Sequence, residues 1–317
     1  MSLVSMLKPK GPNGFGYGST AEDVTQGVDL TGKTMLVTGC NSGLGLEAMR
    51  VLRLRGAHVV GTARTEQKAR DAGASVTGGS FTPLACELSE PSSVRACIAA
   101  VKEKRLKLDV ILANAGIMAL PKLEKAHGYE LQFFTNHIGH FILVTGLLEQ
   151  LTETGRVVML SSAAHSMAPK EGIEFDNLDG SKGYSGWRNY GQSKLANLLF
   201  AKELARRFAG TKKTANAVHP GVIQTNLGRH MNPVMTFFFG LFGSLVLKSI
   251  AQGAATEVYV AANPKAEQVS GEYFADSNVA KARGDADDAA LAKRLWEVSE
   301  KIVEQLLAAE SSAHTSG

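Results

Sequence analysis

The chain has 317 residues, 44 % apolar and 20 % charged, with a net charge of +4, which suits one large globular domain or two small ones. Acids and bases are interspersed, so no basic stripe is present for a nucleic acid to follow. Cys40, Cys86 and Cys97 are odd in number and lack metal-ligand spacing, so they read as small buried residues in a reducing compartment.

In chain order, MSLVSMLKPKGPNG has too short an apolar run for a secretory core, and a cytoplasmic protein is expected. Residues 1–30 read as a loose arm. The glycines of GPNGFGYGS, residues 11–19, follow no strand and so lack the setting of a phosphate loop. A strand is expected over Met35–Thr38 and a helix over Gly43–Arg55, with TGCNSGLG at the junction. Gly39, Gly43 and Gly45 stand where a dinucleotide loop needs a tight turn, close approach to a pyrophosphate and close packing of helix on strand. Thr38, Asn41, Ser42 and Leu44 complete that loop, and amides at the helix start would face the phosphates.

The second strand, from His58 to Gly61, leads into GTARTEQK. It offers no acid for a free ribose hydroxyl; Arg64 stands in that place, and a guanidinium can pair with a 2′-phosphate. NADP(H) is therefore expected, with NAD(H) the alternative if Arg64 is only a solvated charge. A helix near Glu66–Asp71, a strand at Phe81–Leu88, a helix at Ser92–Lys104 and a strand at Asp109–Ala113 follow. A long helix is expected over Gly128–Leu151; its His137 and His140 are three apart, but no other ligand completes a site, and no metal is expected.

A fifth strand, Arg156–Ser161, precedes a helix that opens on YGQSK and runs to Phe208. Tyr190 and Lys194 are four apart and so share a helix face. Strands at Thr214–His219 and Glu272–Ala275 and an amphipathic tail helix over Asp285–Glu310 complete the chain, with the last seven residues frayed. Strand and helix alternate, and the strands are continuous apolar runs. The fold class is α/β: a Rossmann-type, doubly wound parallel sheet of about seven strands with helices on both faces. One domain, residues 31–284, carries the site, followed by a tail at 285–317.

TGCNSGLG, ANAG (Ala113–Gly116), NH (Asn136, His137), SS (Ser161, Ser162), YGQSK and HPG (His219–Gly221) together resemble the short-chain dehydrogenase/reductase family, in its compact single-domain branch. The wording NSGLG, TNHIGHF, SSAAH and HPGVIQTNLGRH is similar to its retinol-dehydrogenase-like, protochlorophyllide-reductase-like and WW-domain-oxidoreductase-like members. The resemblance covers about residues 30–275. It implies Tyr190 as the proton donor or acceptor, Lys194 as the charge that tunes it and holds the nicotinamide ribose, Ser162 as the hydroxyl that orients the substrate oxygen, and Asn136 as the holder of a water in a relay to the lysine. Lowering a phenol from about 10 to about 7 requires roughly 4 kcal/mol, which the ammonium and the oxidised nicotinamide would supply. Asn114, Ala115 and Gly116 would stand beside the adenine ribose, and Pro220, Gly221, Val222 and Thr225 beside the nicotinamide amide. Glu87–Leu88 replaces the family's Asp–Leu or Asp–Val beside the adenine amine.

The stretch between Ser162 and Tyr190 is longer than the family's common short form, and Phe175, Tyr184 and Trp187 within it are candidate pocket walls. Residues 226–250 would form the substrate lid, and the apolar run at 233–250 is too short to span a bilayer. Three readings of that run stay open: a lid over a lipophilic substrate, a peripheral membrane contact, or an oligomer contact. The expected activity interconverts a carbonyl and an alcohol on a retinoid-, steroid- or fatty-type substrate. The alternatives are reduction of a conjugated carbon–carbon double bond, or a non-catalytic nucleotide-binding interaction protein. The resemblance implies a homodimer or homotetramer through the long helices, an assembly that the tail and the apolar run could alter.

Overall fold

The apolar runs pair side by side into one eight-stranded sheet in the computed structural model, which describes residues 8–223 and 247–315. The strands are β1 (Thr34–Thr38), β2 (His58–Ala63), β3 (Phe81–Ala85), β4 (Leu108–Ala113), β5 (Leu151–Leu160), β6 (Thr214–His219), β7 (Tyr273–Ala275) and β8 (Asn278–Val279). Their order is β3-β2-β1-β4-β5-β6-β7-β8, parallel throughout except for β8, which returns antiparallel to β7. The order reverses between β1 and β4, so a crevice opens beyond their C-terminal ends.

Side-chain alternation builds two cores. Leu36 faces one, while Met35 and Val37 face the other. The first lies under α3 (Pro91–Glu103), the helical run α4 (Leu131–Gly146) and α5 (Gly186–Arg207). The second lies under α1 (Gly43–Leu54) and α6 (Ile250–Ala262). The short α2 (Glu66–Ala74) joins β2 to β3, and α7 (Ala289–Thr315) closes the chain. β3 stops at Ala85 rather than Leu88 and holds Pro83, which an edge strand tolerates.

The long fourth helix differs from expectation. It stops at Gly146 rather than Leu151, its expected first residues Tyr129–Glu130 pair instead with Lys125–Ala126 in a two-stranded ribbon, and the Glu130 carboxylate then caps the helix by accepting from the Phe133 amide. The turn widens to a π-helix over Phe134–Ile138, with Asn136 at its centre, and tightens again from Gly139. Gly139 is forced by contact: a Cβ there would stand 2.2 Å from the Leu88 carbonyl oxygen. Gly139→Ala is expected to destabilise the fold by about 1–3 kcal/mol, read from chemical denaturation, because backbone must move to admit the methyl.

Helix α6 was not anticipated, although its start is written in the sequence. Ser249 and Gln252 form a reciprocal capping box there. Residues 8–30 are also not a loose arm. Ala21 and Val24 are buried, the Ala21 amide donates to Ala251 on α6, and Phe15 packs edge-on against Tyr259. Asn13 Nδ2 donates to the Ser277 carbonyl in the β7–β8 turn. The tail helix α7 packs on α4 and α5, with Trp296 against Phe141 and Phe200 and the Arg207 guanidinium 3.8 Å from the Trp296 ring centroid. His137 is buried in this contact, its Nε2 2.9 Å from Ser299 Oγ. All three cysteines are buried and free. Among the described residues no helix is long and apolar enough to cross a membrane.

Candidate active site

At the end of β1 the glycine loop is held from behind. Asn114 Nδ2 donates to the Thr38 carbonyl at 2.8 Å, the Ala115 amide to Thr38 Oγ1 at 3.0 Å, and the Cys40 amide to the Thr62 carbonyl at 3.0 Å. Gly39 and Gly43 have φ of +69° and +56°, which side chains disfavour. A Cβ on Gly45 would meet Gly39 O at 2.3 Å and Asn114 Nδ2 at 2.5 Å. Around Gly43, by contrast, nothing among the described residues lies within 4 Å of such an atom. Ser42 adopts an extended conformation at the helix N-cap without placing its side chain on the first amides. An open cradle with uncapped amides fits a pyrophosphate. Asn41 and Ser42 are exposed, while half-buried Leu44 faces Gly253 of α6.

Arg64 is exposed just past β2 and makes no ion pair among the described residues. Glu87 is half-buried, but its Oε1 accepts from the Ser89 hydroxyl at 3.0 Å and the Ser89 amide at 3.3 Å. Leu88 is buried, its carbonyl against Gly139.

The catalytic candidates gather where β4 and β5 end. Helix α5 starts at Gly186, so Tyr190 lies within its second turn rather than at its mouth. Lys194 Nζ donates to the Leu160 carbonyl at 2.9 Å and stands 5.7 Å from the Tyr190 ring centroid. The Ser162 hydroxyl stands by the Tyr190 phenol and favours its ionised form. Ser161 is turned away: its buried hydroxyl donates to the Lys194 carbonyl at 2.8 Å. The side chain of Asn136 clasps Ile117, accepting from its amide at 2.8 Å and donating to its carbonyl at 2.9 Å, and also donates to Ser193 Oγ. Gly116 closes the group. A Cβ on it would lie 3.0 Å from Asn136 Oδ1 and 3.3 Å from Lys194 Nζ.

Gly191 answers a packing need. A Cβ there would meet the Ala164 carbonyl at 2.5 Å, so only glycine lets the turn after Ser162 rest on α5. Of the three candidate pocket walls, Trp187 stands edge-on to Tyr190 at 6.1 Å and is 42 % exposed. Phe175 lies beneath the Arg294 guanidinium, and the Tyr184 hydroxyl donates to the Leu120 carbonyl. Buried Pro220 leads to Gly221, whose φ of +92° and close contact with the buried Lys248 side chain exclude a larger residue. Val222 is exposed. Thr225 and residues 226–246 of the expected lid lie outside the described residues.

Burial holds the Tyr190 phenol up, to about 12, against the lowering effect of the Ser162 hydroxyl. The lowering expected of the ammonium and the oxidised nicotinamide together belongs to the coenzyme-bound site, where added positive charge would oppose this burial. Lys194 is itself brought down to about 8 by burial, opposed by Glu257.

Glu257, on α6, was missed in the sequence because it sits in an unrecognised helix. It is fully buried, and among the described residues neither carboxyl oxygen has a hydrogen-bond partner. Burial raises it to about 8, against the lowering pull of Lys194. A folded-state pKa above the unfolded one means stability is fully present below about 4.5 and is lost as pH rises through about 8. Glu257→Gln removes that loss, so its melting temperature should exceed the parent's by several degrees near pH 8 and by little near pH 5, measured by calorimetry.

A sequence model of the family described as "short chain dehydrogenase" matches residues 33–235. The chain is 41 % identical over 320 residues to short-chain dehydrogenase TIC 32 A, chloroplastic, of Brassica napus, covering 96 % of this chain and 100 % of that one. It is 37 % identical over 296 residues to human retinol dehydrogenase 14, covering 86 % and 87 %. A solved structure of a putative uncharacterized protein from Mycobacterium paratuberculosis superposes with a TM-score of 0.72 at 32 % identity, covering 90 % and 98 %. With these relatives spanning nearly its whole length, the chain belongs to the short-chain dehydrogenase family of oxidoreductases, which bind nicotinamide coenzymes.

Proposed function

We propose that the chain interconverts a carbonyl and an alcohol on a lipophilic small molecule, using NADP(H). The observation that carries this reading is the convergence of Tyr190, Ser162 and Lys194 beside Gly116 at the C-terminal edge of the sheet. The coenzyme, when bound, supplies or accepts the hydride. The protein's part is proton transfer and orientation. Ser162 holds the substrate oxygen, and Tyr190, protonated across the neutral range, donates to it as charge develops. Lys194 stabilises the phenolate left behind. The reverse path oxidises an alcohol with the same groups.

The apolar side chains Trp187, Met167 and Val222 are exposed on segments that flank the site, and this supports a lipophilic substrate. Human retinol dehydrogenase 14 carries such a substrate in its name. Cytoplasmic residence, with or without peripheral membrane contact through residues 233–250, belongs to this reading. Assembly through α4 and α5 sits less well with it, because α7 covers that face.

Arg64 supports NADP(H), since an exposed guanidinium at the end of β2 is available to a 2′-phosphate. Arg64→Ala should raise the KM for NADPH about 10- to 100-fold, the worth of a charge-assisted hydrogen bond, and leave that for NADH nearly unchanged. The general test is the purified protein with NADPH or NADH and a panel of apolar aldehydes, ketones and conjugated enones, followed by nicotinamide absorbance. Carbonyl turnover supports the reading. Turnover confined to the enones, or coenzyme binding with none, would replace it with one of the alternatives.

A further inference from the structure

His140 lies on α4 with its ring wholly buried and both ring nitrogens engaged. Nδ1 is 2.9 Å from the Asn136 carbonyl oxygen. A carbonyl only accepts, so Nδ1 carries the proton. Burial brings the imidazole down to about 4, so it is neutral near pH 7 and its Nε2 is an acceptor. Thr38 Oγ1, at 2.9 Å, therefore donates to Nε2. Thr38 Oγ1 in turn accepts from the Ala115 amide.

The same sense of donation continues beyond Asn136. Its Nδ2 donates to Ser193 Oγ at 2.9 Å, and Ser193 donates to the Tyr190 carbonyl at 2.8 Å. Along this path the donors point one way, from Ala115 through Thr38 and His140 to the Asn136 carbonyl, and from the Asn136 side chain through Ser193 to the backbone of Tyr190. Ala115 and Thr38 flank the glycine loop; Ser193 and Tyr190 lie on the catalytic helix. The π-turn sets Asn136 at the middle of this path, between the ring below and the helix above.

We propose that His140 is a positioning residue that couples the seating of the coenzyme loop to the placement of Tyr190. It touches neither coenzyme nor substrate and acts through Thr38 on one side and Asn136 on the other. The ring serves as a rigid spacer with one donor and one acceptor, so a change at the Thr38 hydroxyl on coenzyme binding is passed to α5. The proposal rests on the reading of Tyr190 as the reacting acid, but parts of its test do not need turnover.

Nitrogen-15 NMR of the imidazole should show the Nδ1-protonated tautomer from pH about 5 to 8; an Nε2-protonated ring would overturn the chain of donors. With NADPH or NADH added, hydrogen exchange in the wild type should slow at residues 190–195 as well as in the glycine loop. Thr38→Val should keep slowing in the loop and lose it at 190–195, and Thr38→Ser should restore it. Unchanged protection at 190–195 in Thr38→Val, or none there in the wild type, overturns the proposal. In kcat, Thr38→Val and Ser193→Ala should each cost about ten-fold, the equivalent of one hydrogen bond, and the double variant no more than either. Effects that multiply would mean two separate structural roles. If the wild type turns over no carbonyl while the tautomer and the exchange pattern hold, the functional reading falls and the coupling stands.

Discussion

Tyr190→Phe should bind coenzyme as the wild type does and reduce carbonyls about 100- to 10,000-fold more slowly, the span that a positioned general acid contributes. The substitution removes one oxygen. The phenyl ring still fills a site that is 8 % exposed and still meets Trp187 edge-on, so the fold has little reason to respond. What disappears is the hydroxyl that stands by Ser162 and would protonate the substrate oxygen. Coenzyme fluorescence titration separates binding from turnover. A Phe variant that turned over carbonyls at the parent rate would end the mechanism proposed for this site.

Lys194→Met should lower kcat by about 100-fold or more and raise the KM for coenzyme. The loss has two parts. Methionine fills a similar volume but brings no charge to stabilise the phenolate, and the Leu160 carbonyl loses its donor at 2.9 Å, keeping Asn197 Nδ2 at 3.1 Å. The pH dependence carries the sharper signature. Burial brings Lys194 down to about 8, so its charged form is present below that value and fades above it. Tyr190 stays protonated until about 12. The kcat/KM for carbonyl reduction should therefore fall as pH rises through about 8, with Lys194 as the titrating group, and that limb should vanish in Lys194→Met. A limb near 8 that persists in the variant would assign the titration elsewhere.

Much of this could be read along the chain because it depends on local periodicity. β6 runs over Thr214–His219 as expected, and β1, β2 and β4 differ from expectation by one or two residues, since a strand buried on both faces is an unbroken apolar run. The glycine loop was legible for the same reason: its three glycines sit between a strand and a helix that each declare themselves. Which hydroxyl of the Ser161–Ser162 pair is free to face a ligand is a matter of tertiary contact: Ser161 is spent on the Lys194 carbonyl.

Where reading failed, contacts distant in sequence were in charge. Residues 8–30 look unstructured alone, and they are ordered by α6 and the β7–β8 turn, more than 200 positions away. The helix through Asn136 looks regular in sequence. It widens where Ile117 must be clasped and where His140 must reach Thr38, two demands no local pattern expresses.

Residue types and their spacing were enough to establish the doubly wound sheet and to point to a glycine loop and a set of polar groups at its mouth, because each follows from interactions within a few turns of chain. Electrostatics were not. Whether Tyr190 is lowered or raised, and whether Lys194 has a buried carboxylate for company, depends on how much water the assembled helices exclude. Desolvation is a property of the packed whole, and it acts on a side chain only after residues from several distant elements have closed around it.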